Sequence, residues 1–245
     1  MEIFQLKSVD YIVQKIMDLK PNPMIFLDYD GTLIPISREP DNCHADADLI
    51  DILEHVDSRY DLYIVTGRSY ETIRKFIPLD LNFVALHGAI YRRKGGEPET
   101  IDGYEDYVEI CDSIYARLPD IFRDFIGLRY ENKAGAIVFN YWKLEKQEQS
   151  TEVSAIVKEL AESSGMDFRE GKMICEIRIP GCNKGETIRR IRSDRPAVIA
   201  GDDVTDEDSF IYNQDAMLIK IGDGETAAQF RLKDYTEMRE VLIRI

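Results

Sequence analysis

The chain has no apolar stretch approaching the roughly 18 residues that a membrane-spanning helix needs, and its 245 residues hold only four cysteines and three histidines. Each shortage excludes something. The opening segment, Met1–Lys20, mixes charges with apolar residues at helical spacing and lacks the long apolar centre of a secretion signal, so a soluble, cytoplasmic protein that contacts no membrane is expected. Cys43, Cys111, Cys175 and Cys182 form no C-x-x-C pair; Cys175 and Cys182 flank a Pro-Gly turn, but not at zinc-ligand spacing, and reduced structural thiols are expected. His44, His55 and His87 are too dispersed along the chain to suggest a metal cluster. Positive charge is also scarce, with 31 Lys and Arg against 46 Asp and Glu, a net charge of −15. Such a surface disfavours nucleic acid and anionic membranes, and it repels an anionic substrate as well. A phosphate site would therefore have to be made locally positive by a metal, Lys, Arg or backbone N–H groups. No internal repeat or low-complexity tract is visible.

What is present is a 44% hydrophobic composition, enough to fill a sizeable core. Met24–Leu27, Tyr63–Thr66, Phe83–Leu86 and Ala197–Ala200 are short apolar runs that end at polar or Gly residues, the pattern of buried parallel strands. Helical patterns lie between them: Asp46–Val56, Ser69–Ile77 with Ser69 as N-cap, and a helix beginning at Gly185–Ile191. Strand–helix alternation predicts an α/β fold with a Rossmann-like parallel sheet. The middle of the chain differs. An amphipathic helix over Tyr104–Leu118, ended by Pro119, precedes β-rich Leu128–Glu131 and Ala136–Tyr141 around the turn Asn132–Gly135. A second helix over Glu148–Ser163 precedes a hairpin of Met166–Glu170 and Met173–Ile179 around Gly171-Lys172. This order predicts an inserted α+β cap over residues 104–180, with the core formed by 1–103 and 181–245. Entry and exit at Gly103 and Gly181 suit a lid.

Four loops carry the chemistry, each expected at a strand's end: Asp28–Thr32, Thr66-Gly67-Arg68-Ser69, Asn183-Lys184-Gly185, and Gly201–Asp208 with Asp202, Asp203 and Asp206. Acidic turns are commonly solvated helix caps, and most lysines lie on the surface. Asp28 and Asp30 are different, because two acids at the end of a buried strand cost stability unless a cation sits between them. Together the loops supply what phosphoryl transfer to a carboxylate needs. Asp28 can attack phosphorus. Asp30 can protonate the leaving alcohol and then deprotonate water. Lys184 and Thr66 can hold the phosphate oxygens, helped by backbone N–H groups near Gly31, Thr32 and Gly67. A hard cation such as Mg²⁺ would shield the carboxylates from the phosphate.

On these residues the chain resembles the haloacid dehalogenase-like phosphohydrolases, whose motifs run D-x-D-G-T, Ser/Thr, Lys, and an acidic pair after Gly. Within them it is similar to the trehalose-6-phosphate phosphatase family through FLDYDGTLIPI, IVTGRSYETI, LHGAIYRRKGG, CEIRIPGCNKG and GDDVTDEDSF. The inserted module is similar to the type-two cap of that superfamily. The resemblance implies Asp28 as nucleophile, Asp30 as acid/base, and Mg²⁺ on Asp28, the Asp30 carbonyl and Asp202, with Asp206 a nearby or water-mediated ligand. It places His87, Glu131, Lys133, Glu176 and Arg178 at the sugar; Arg68, beside Thr66 and Gly67, is also expected among the substrate-binding residues. The chain departs from the family in the cap: Asn140-Tyr141-Trp142 stands where His-Tyr-Arg is common, and Glu131 and Lys133 are one residue closer in sequence.

Glu131, Lys133, Glu176 and Arg178 read from the residues alone fit either a hydroxyl-reading face or cross-strand ion pairs on a solvated one. Trp142 fits either sugar stacking or packing. The expectation is a monomeric, Mg²⁺-dependent phosphatase acting on a small sugar phosphate, trehalose 6-phosphate. The alternatives are a phosphatase of the same core acting on sucrose, mannosylglycerate or hexose phosphates, a phosphomutase, and a silent regulator that binds metal or sugar phosphate.

Overall fold

The structure is a computed structural model that describes residues 8–37, 39, 42–171 and 173–245. In chain order the elements are α1 (Val9–Asp18), β1 (Met24–Leu27), α2 (Ala47–Asp57), β2 (Asp61–Val65), α3 (Tyr70–Phe76), β3 (Asn82–Ala85), β4 (Ile90–Arg92), β5 (Glu99–Thr100), α4 (Tyr104–Tyr115), α5 (Leu118–Ile121), β6 (Arg129–Asn132), β7 (Ala136–Asn140), α6 (Ser150–Ser163), β8 (Asp167–Gly171), β9 (Ile174–Arg178), α7 (Lys184–Arg192), β10 (Ala197–Gly201), α8 (Val204–Tyr212), β11 (Met217–Ile221), β12 (Phe230–Leu232) and α9 (Tyr235–Arg244). They divide into two compact units, one taking the chain to Glu99 and from Asn183 onward, the other spanning Thr100–Cys182.

The first unit is built on a sheet of order β12-β11-β10-β1-β2-β3-β4-β5. Pairing is parallel from β12 to β3 and turns antiparallel at β4. The four residues of β1 are all buried, and alternate side chains enter opposite layers. Ile25 and Leu27 pack with Ile12 and Ile16 of α1, Leu49 and Leu53 of α2, and Val241 and Leu242 of α9. Met24 and Phe26 pack with Ile188 of α7 and Phe210 of α8. Burial on both faces explains why these strands read as unbroken apolar runs. Helix starts are specified locally: the side chains of Asp46, Ser69 and Asn183 accept from the N–H groups of Leu49, Thr72 and Glu186. The chain moves from β1 to β2 and β3 on one side of β1, then crosses to β10 on the other. The crevice at the carboxyl ends of β1 and β10 is the topological switch point where open α/β sheets bind ligands.

The second unit has its own antiparallel sheet, of order β6-β7-β9-β8. Ile137, Phe139, Cys175 and Ile177 alternate onto a buried face. Helices α4 and α6 pack against this sheet. Two helix expectations change. Pro119 does not end a helix running to Leu118: α4 stops at Tyr115, and Leu118-Pro119 opens α5, because a proline without an N–H is tolerated in a helix's first turn. The second helix begins at Ser150 after a single 3-10 turn, Gln147–Gln149. The β8–β9 hairpin pairs Gly171 with Ile174; Lys172 of the expected turn lies outside the described residues, as do the first seven residues of the Met1–Lys20 segment. All four cysteines are free thiols, three of them buried. Among the described residues, no helix is long and apolar enough to cross a membrane.

Candidate active site

The Asp28 N–H donates to the Ala200 carbonyl at 3.0 Å, which fixes the first acid directly beyond β1 and alongside β10. The chain then closes a tight turn. The Gly31 N–H donates to the Ile34 carbonyl (2.8 Å) and the Leu33 N–H to the Tyr29 carbonyl (2.9 Å). Gly31 thus spends its amide inside the turn, and its role is conformational. Its φ is +87°, and a Cβ there would lie 2.1 Å from Asp202 Oδ2. The Thr32 hydroxyl is buried and has no hydrogen-bond partner.

Lys184 enters from elsewhere. Three of the expected loops follow parallel strands, but Lys184 stands in the first turn of α7, which precedes β10. A helix antiparallel to the strands delivers its N-terminus to their carboxyl ends, so the lysine reaches the same crevice from the opposite direction. The loop after β3 instead carries His87, held buried by a left-handed turn with Leu86 and His87 at φ 45° and 56°. Gly67 makes room for it, since a Cβ there would lie 2.5 Å from the imidazole. The His87 N–H donates to the Thr66 carbonyl at 3.1 Å, tying the β2 and β3 loops together.

At the centre, Lys184 Nζ donates to Asp28 Oδ1 at 2.6 Å and to Asp206 Oδ1 at 2.8 Å. The lysine is 3% exposed. Asp206 sits in the first turn of α8, where its Oδ2 accepts from the N–H groups of Asp202 and Asp203, both at 3.1 Å. Asp28, Asp202 and Asp206 each offer an oxygen within 4.8 Å of the others. Burial, then Asp206, push the Asp28 carboxyl well above the ordinary range against the pull of Lys184. Burial, then Asp206 and Asp203, raise Asp202 to about 7. Burial opposes charge on Lys184, yet Asp206 and Asp28 hold its pKa above the ordinary lysine value. One buried lysine among these acids leaves excess negative charge. Asp202 Oδ1 is buried with no hydrogen-bond partner. An oxygen-only donor set with an unsatisfied carboxylate fits a hard divalent cation.

Asp30 stands outside that cluster. Its carboxylate accepts from Arg68 Nε and one terminal nitrogen, both at 2.6 Å. Arg68, expected at the substrate, thus has its fork closed on Asp30. The Arg68 N–H also donates to Thr66 Oγ1 at 3.1 Å. A second buried lysine was not anticipated from sequence: Lys220 of β11, 4% exposed, donates to the Asp202 carbonyl at 2.6 Å and lies 3.5 Å from Glu207. The available signal was a lone charge inside the apolar run Met217–Ile221.

In the second unit, Glu131 pairs with Val138, Val138 with Glu176, and Glu176 with Arg169 across the sheet. Directly paired residues share a face, and so do residues two apart along a strand. Glu131, Glu176 and Arg178 therefore lie on one face, opposite the one that packs on α4 and α6. Lys133 follows β6 and lies 3.9 Å from Glu176. Asn140 is on that charged face as well, and its side chain accepts from the Trp142 N–H at 3.0 Å.

Residues 26–234 match the trehalose-phosphatase family. The chain belongs to that family, and its fold is shared with a haloacid dehalogenase-like hydrolase from B. subtilis, TM-score 0.58 at 12% identity over 90% of this chain and 98% of that one. A trehalose-6-phosphate phosphatase-related protein of Thermoplasma acidophilum is 43% identical over 219 residues, 89% of this chain and 95% of that one. A crystal structure of a trehalose-6-phosphate phosphatase related protein superposes with a TM-score of 0.85 at 42% identity, covering 90% of this chain and 95% of that one. A bifunctional trehalose-6-phosphate synthase/phosphatase of Thermoproteus tenax is 28% identical over 89% of this chain, which spans 31% of its length.

Proposed function

We propose that the protein is a cytoplasmic, monomeric, Mg²⁺-dependent phosphatase that hydrolyses trehalose 6-phosphate to trehalose and phosphate. The observation that carries this reading is the Asp28–Lys184–Asp206 cluster at the switch point, in a chain of the trehalose-phosphatase family. Lys184 pins one oxygen of Asp28, leaving the other to attack phosphorus. The bond from phosphorus to the sugar oxygen breaks, and Asp30 gives that oxygen a proton. Asp30 then takes a proton from water as it attacks the aspartyl-phosphate, releasing phosphate and restoring Asp28. Thr66 and Lys184 bind the phosphoryl oxygens, with backbone N–H groups of the Asp28–Thr32 and Gly67 turns nearby. Asp28, the Asp30 carbonyl and Asp202 would hold Mg²⁺, with Asp206 beside them. When bound, the ion supplies charge neutralisation between the carboxylates and the incoming phosphate.

The second unit carries the residues proposed to read the sugar. Glu131, Lys133, Glu176 and Arg178 offer charged donors and acceptors for hydroxyl groups, and His87 is assigned to the sugar from the core. The test is phosphate release from trehalose 6-phosphate, glucose 6-phosphate and sucrose 6-phosphate, with and without Mg²⁺. The expected result is Mg²⁺-dependent release favouring trehalose 6-phosphate. A higher kcat/KM on either competitor overturns the substrate. Sugar interconversion without phosphate release overturns hydrolysis in favour of a phosphomutase.

A further inference from the structure

We propose that Arg68 is the positioning residue that orients Asp30 for proton transfer, not a substrate-binding group. The inference rests on the assignment of Asp30 as acid and base above. The carboxylate of Asp30 is held at both oxygens by one rigid fork, Arg68 Nε to Oδ2 and a terminal nitrogen to Oδ1, each at 2.6 Å. A single hydrogen bond would leave the carboxylate free to turn about that bond. Two parallel ones fix its plane. Each oxygen keeps a further lone pair, so the group can still carry a proton while it is held. The guanidinium is not a competing proton donor, because arginine stays protonated in proteins.

Arg68 is held at its fork and at its backbone. The face of the fork lies over the Phe76 ring, 4.7 Å from the centroid, and Phe76 is a buried residue of α3. The Arg68 N–H is bound by Thr66 Oγ1 at 3.1 Å, and the Arg68 carbonyl accepts from the Leu86 N–H at 2.9 Å. The arginine side chain is 13% exposed, whereas that of Asp30 is 34% exposed. The pair thus has a packed end and an open end, and the open end is the acid. An anchor for a reacting group has this form; a phosphate ligand would present its donors to the opening instead. The contact also divides labour at the crevice: Lys184 neutralises the nucleophile's cluster, while the Arg68 fork holds the residue that moves protons.

The test compares kcat/KM for trehalose 6-phosphate and p-nitrophenyl phosphate, with Mg²⁺, in the natural chain, Arg68→Ala, Arg68→Lys and Asp30→Asn. Nitrophenolate departs without a proton, whereas a sugar alkoxide requires one. The parameter kcat/KM reports only steps up to departure of the leaving group, so the later hydrolysis does not enter. Arg68→Ala is expected to lose on the order of 10²-fold on the sugar phosphate and no more than about threefold on the aryl phosphate. Arg68→Lys keeps the charge without the fork and is expected to show the same selectivity. Added guanidinium should restore Arg68→Ala and leave Asp30→Asn unchanged. Circular dichroism checks that the variants are folded, and Arg68→Lys carries the comparison if Arg68→Ala is not. Equal losses on both substrates in the Arg68 variants, with selectivity retained in Asp30→Asn, overturn the inference. If Asp30→Asn itself loses both substrates equally, the acid–base assignment falls, and this inference falls with it.

Discussion

Replacing Lys184 with methionine removes the cation from between two buried carboxylates while nearly keeping side-chain volume. The two contacts, at 2.6 and 2.8 Å, each carry on the order of 6 kcal/mol of gross attraction at an effective dielectric near 20. Most of that attraction is offset by the desolvation of a lysine that is 3% exposed. The net loss should therefore resemble that of other broken buried pairs, about 3–5 kcal/mol. For a chain of this size that is roughly 6–20 °C in Tm. The pH dependence gives the sharper signature. Asp28 and Asp202 have pKa values raised above their unfolded value of 3.8. Such groups contribute stability that is fully present below the unfolded pKa and is lost as pH rises through the folded pKa. Lys184 pulls both downward, so removing it raises them further and enlarges the penalty at high pH. The natural lysine, with its own pKa raised, keeps its charge throughout this window. The deficit of Lys184→Met should thus be small near pH 5, where protons take over the lysine's role, and full at pH 8. Thermal melts in EDTA at both pH values measure it. A loss under about 1 kcal/mol at pH 8, or an equal loss at both pH values, would refute the reasoning.

Asp28→Asn should abolish turnover with the fold intact, and in EDTA at pH 8 its Tm should not fall below that of the natural chain, because a neutral isostere replaces one of three crowded acids; measurable turnover would sink the nucleophile assignment. Mg²⁺ should raise Tm more at pH 8 than at pH 5, since Asp202, raised to about 7, exchanges its proton for the ion only on the alkaline side; a thermal shift that ignores pH would contradict this. Gly31→Ala should cost about 1–3 kcal/mol and weaken Mg²⁺ binding, because its Cβ would fall 2.1 Å from Asp202 Oδ2 at a φ of +87°; an unchanged Tm and Mg²⁺ shift would argue against it. Glu176→Ala, which removes the partner 3.9 Å from Lys133, should lower kcat/KM on trehalose 6-phosphate at least tenfold more than on p-nitrophenyl phosphate, because the sugar hydroxyl proposed to be read by Glu176 would lose its acceptor; equal losses would remove Glu176 from sugar reading.

Much of this site was legible because its signals are local. Asp28 and Asp30 stand two apart behind four buried residues, and Ser69, Asp46 and Asn183 announce helix starts through hydrogen bonds to their own chain. Runs buried on both faces had to be apolar throughout, which marked the parallel strands. What was hidden depends on contacts between distant residues. Asn183 marks the start of the helix that carries Lys184, but nothing around Lys184 says that it will meet Asp28 from across 156 positions. Lys220 looked like an ordinary lysine until β11 came to lie beside β10 and turned it onto the Asp202 carbonyl. Arg68 read as a substrate ligand from its place beside Thr66, and only the folded crevice gave its fork to Asp30. The sequence by itself determined the repertoire: the carboxylates, the lysine, the hydroxyls and the elements that carry them, since propensity, capping and burial pattern act within a few residues. The tertiary structure alone decided the partnerships, because which charge neutralises which is set by separations of a few ångströms that strand order creates and chain spacing does not encode.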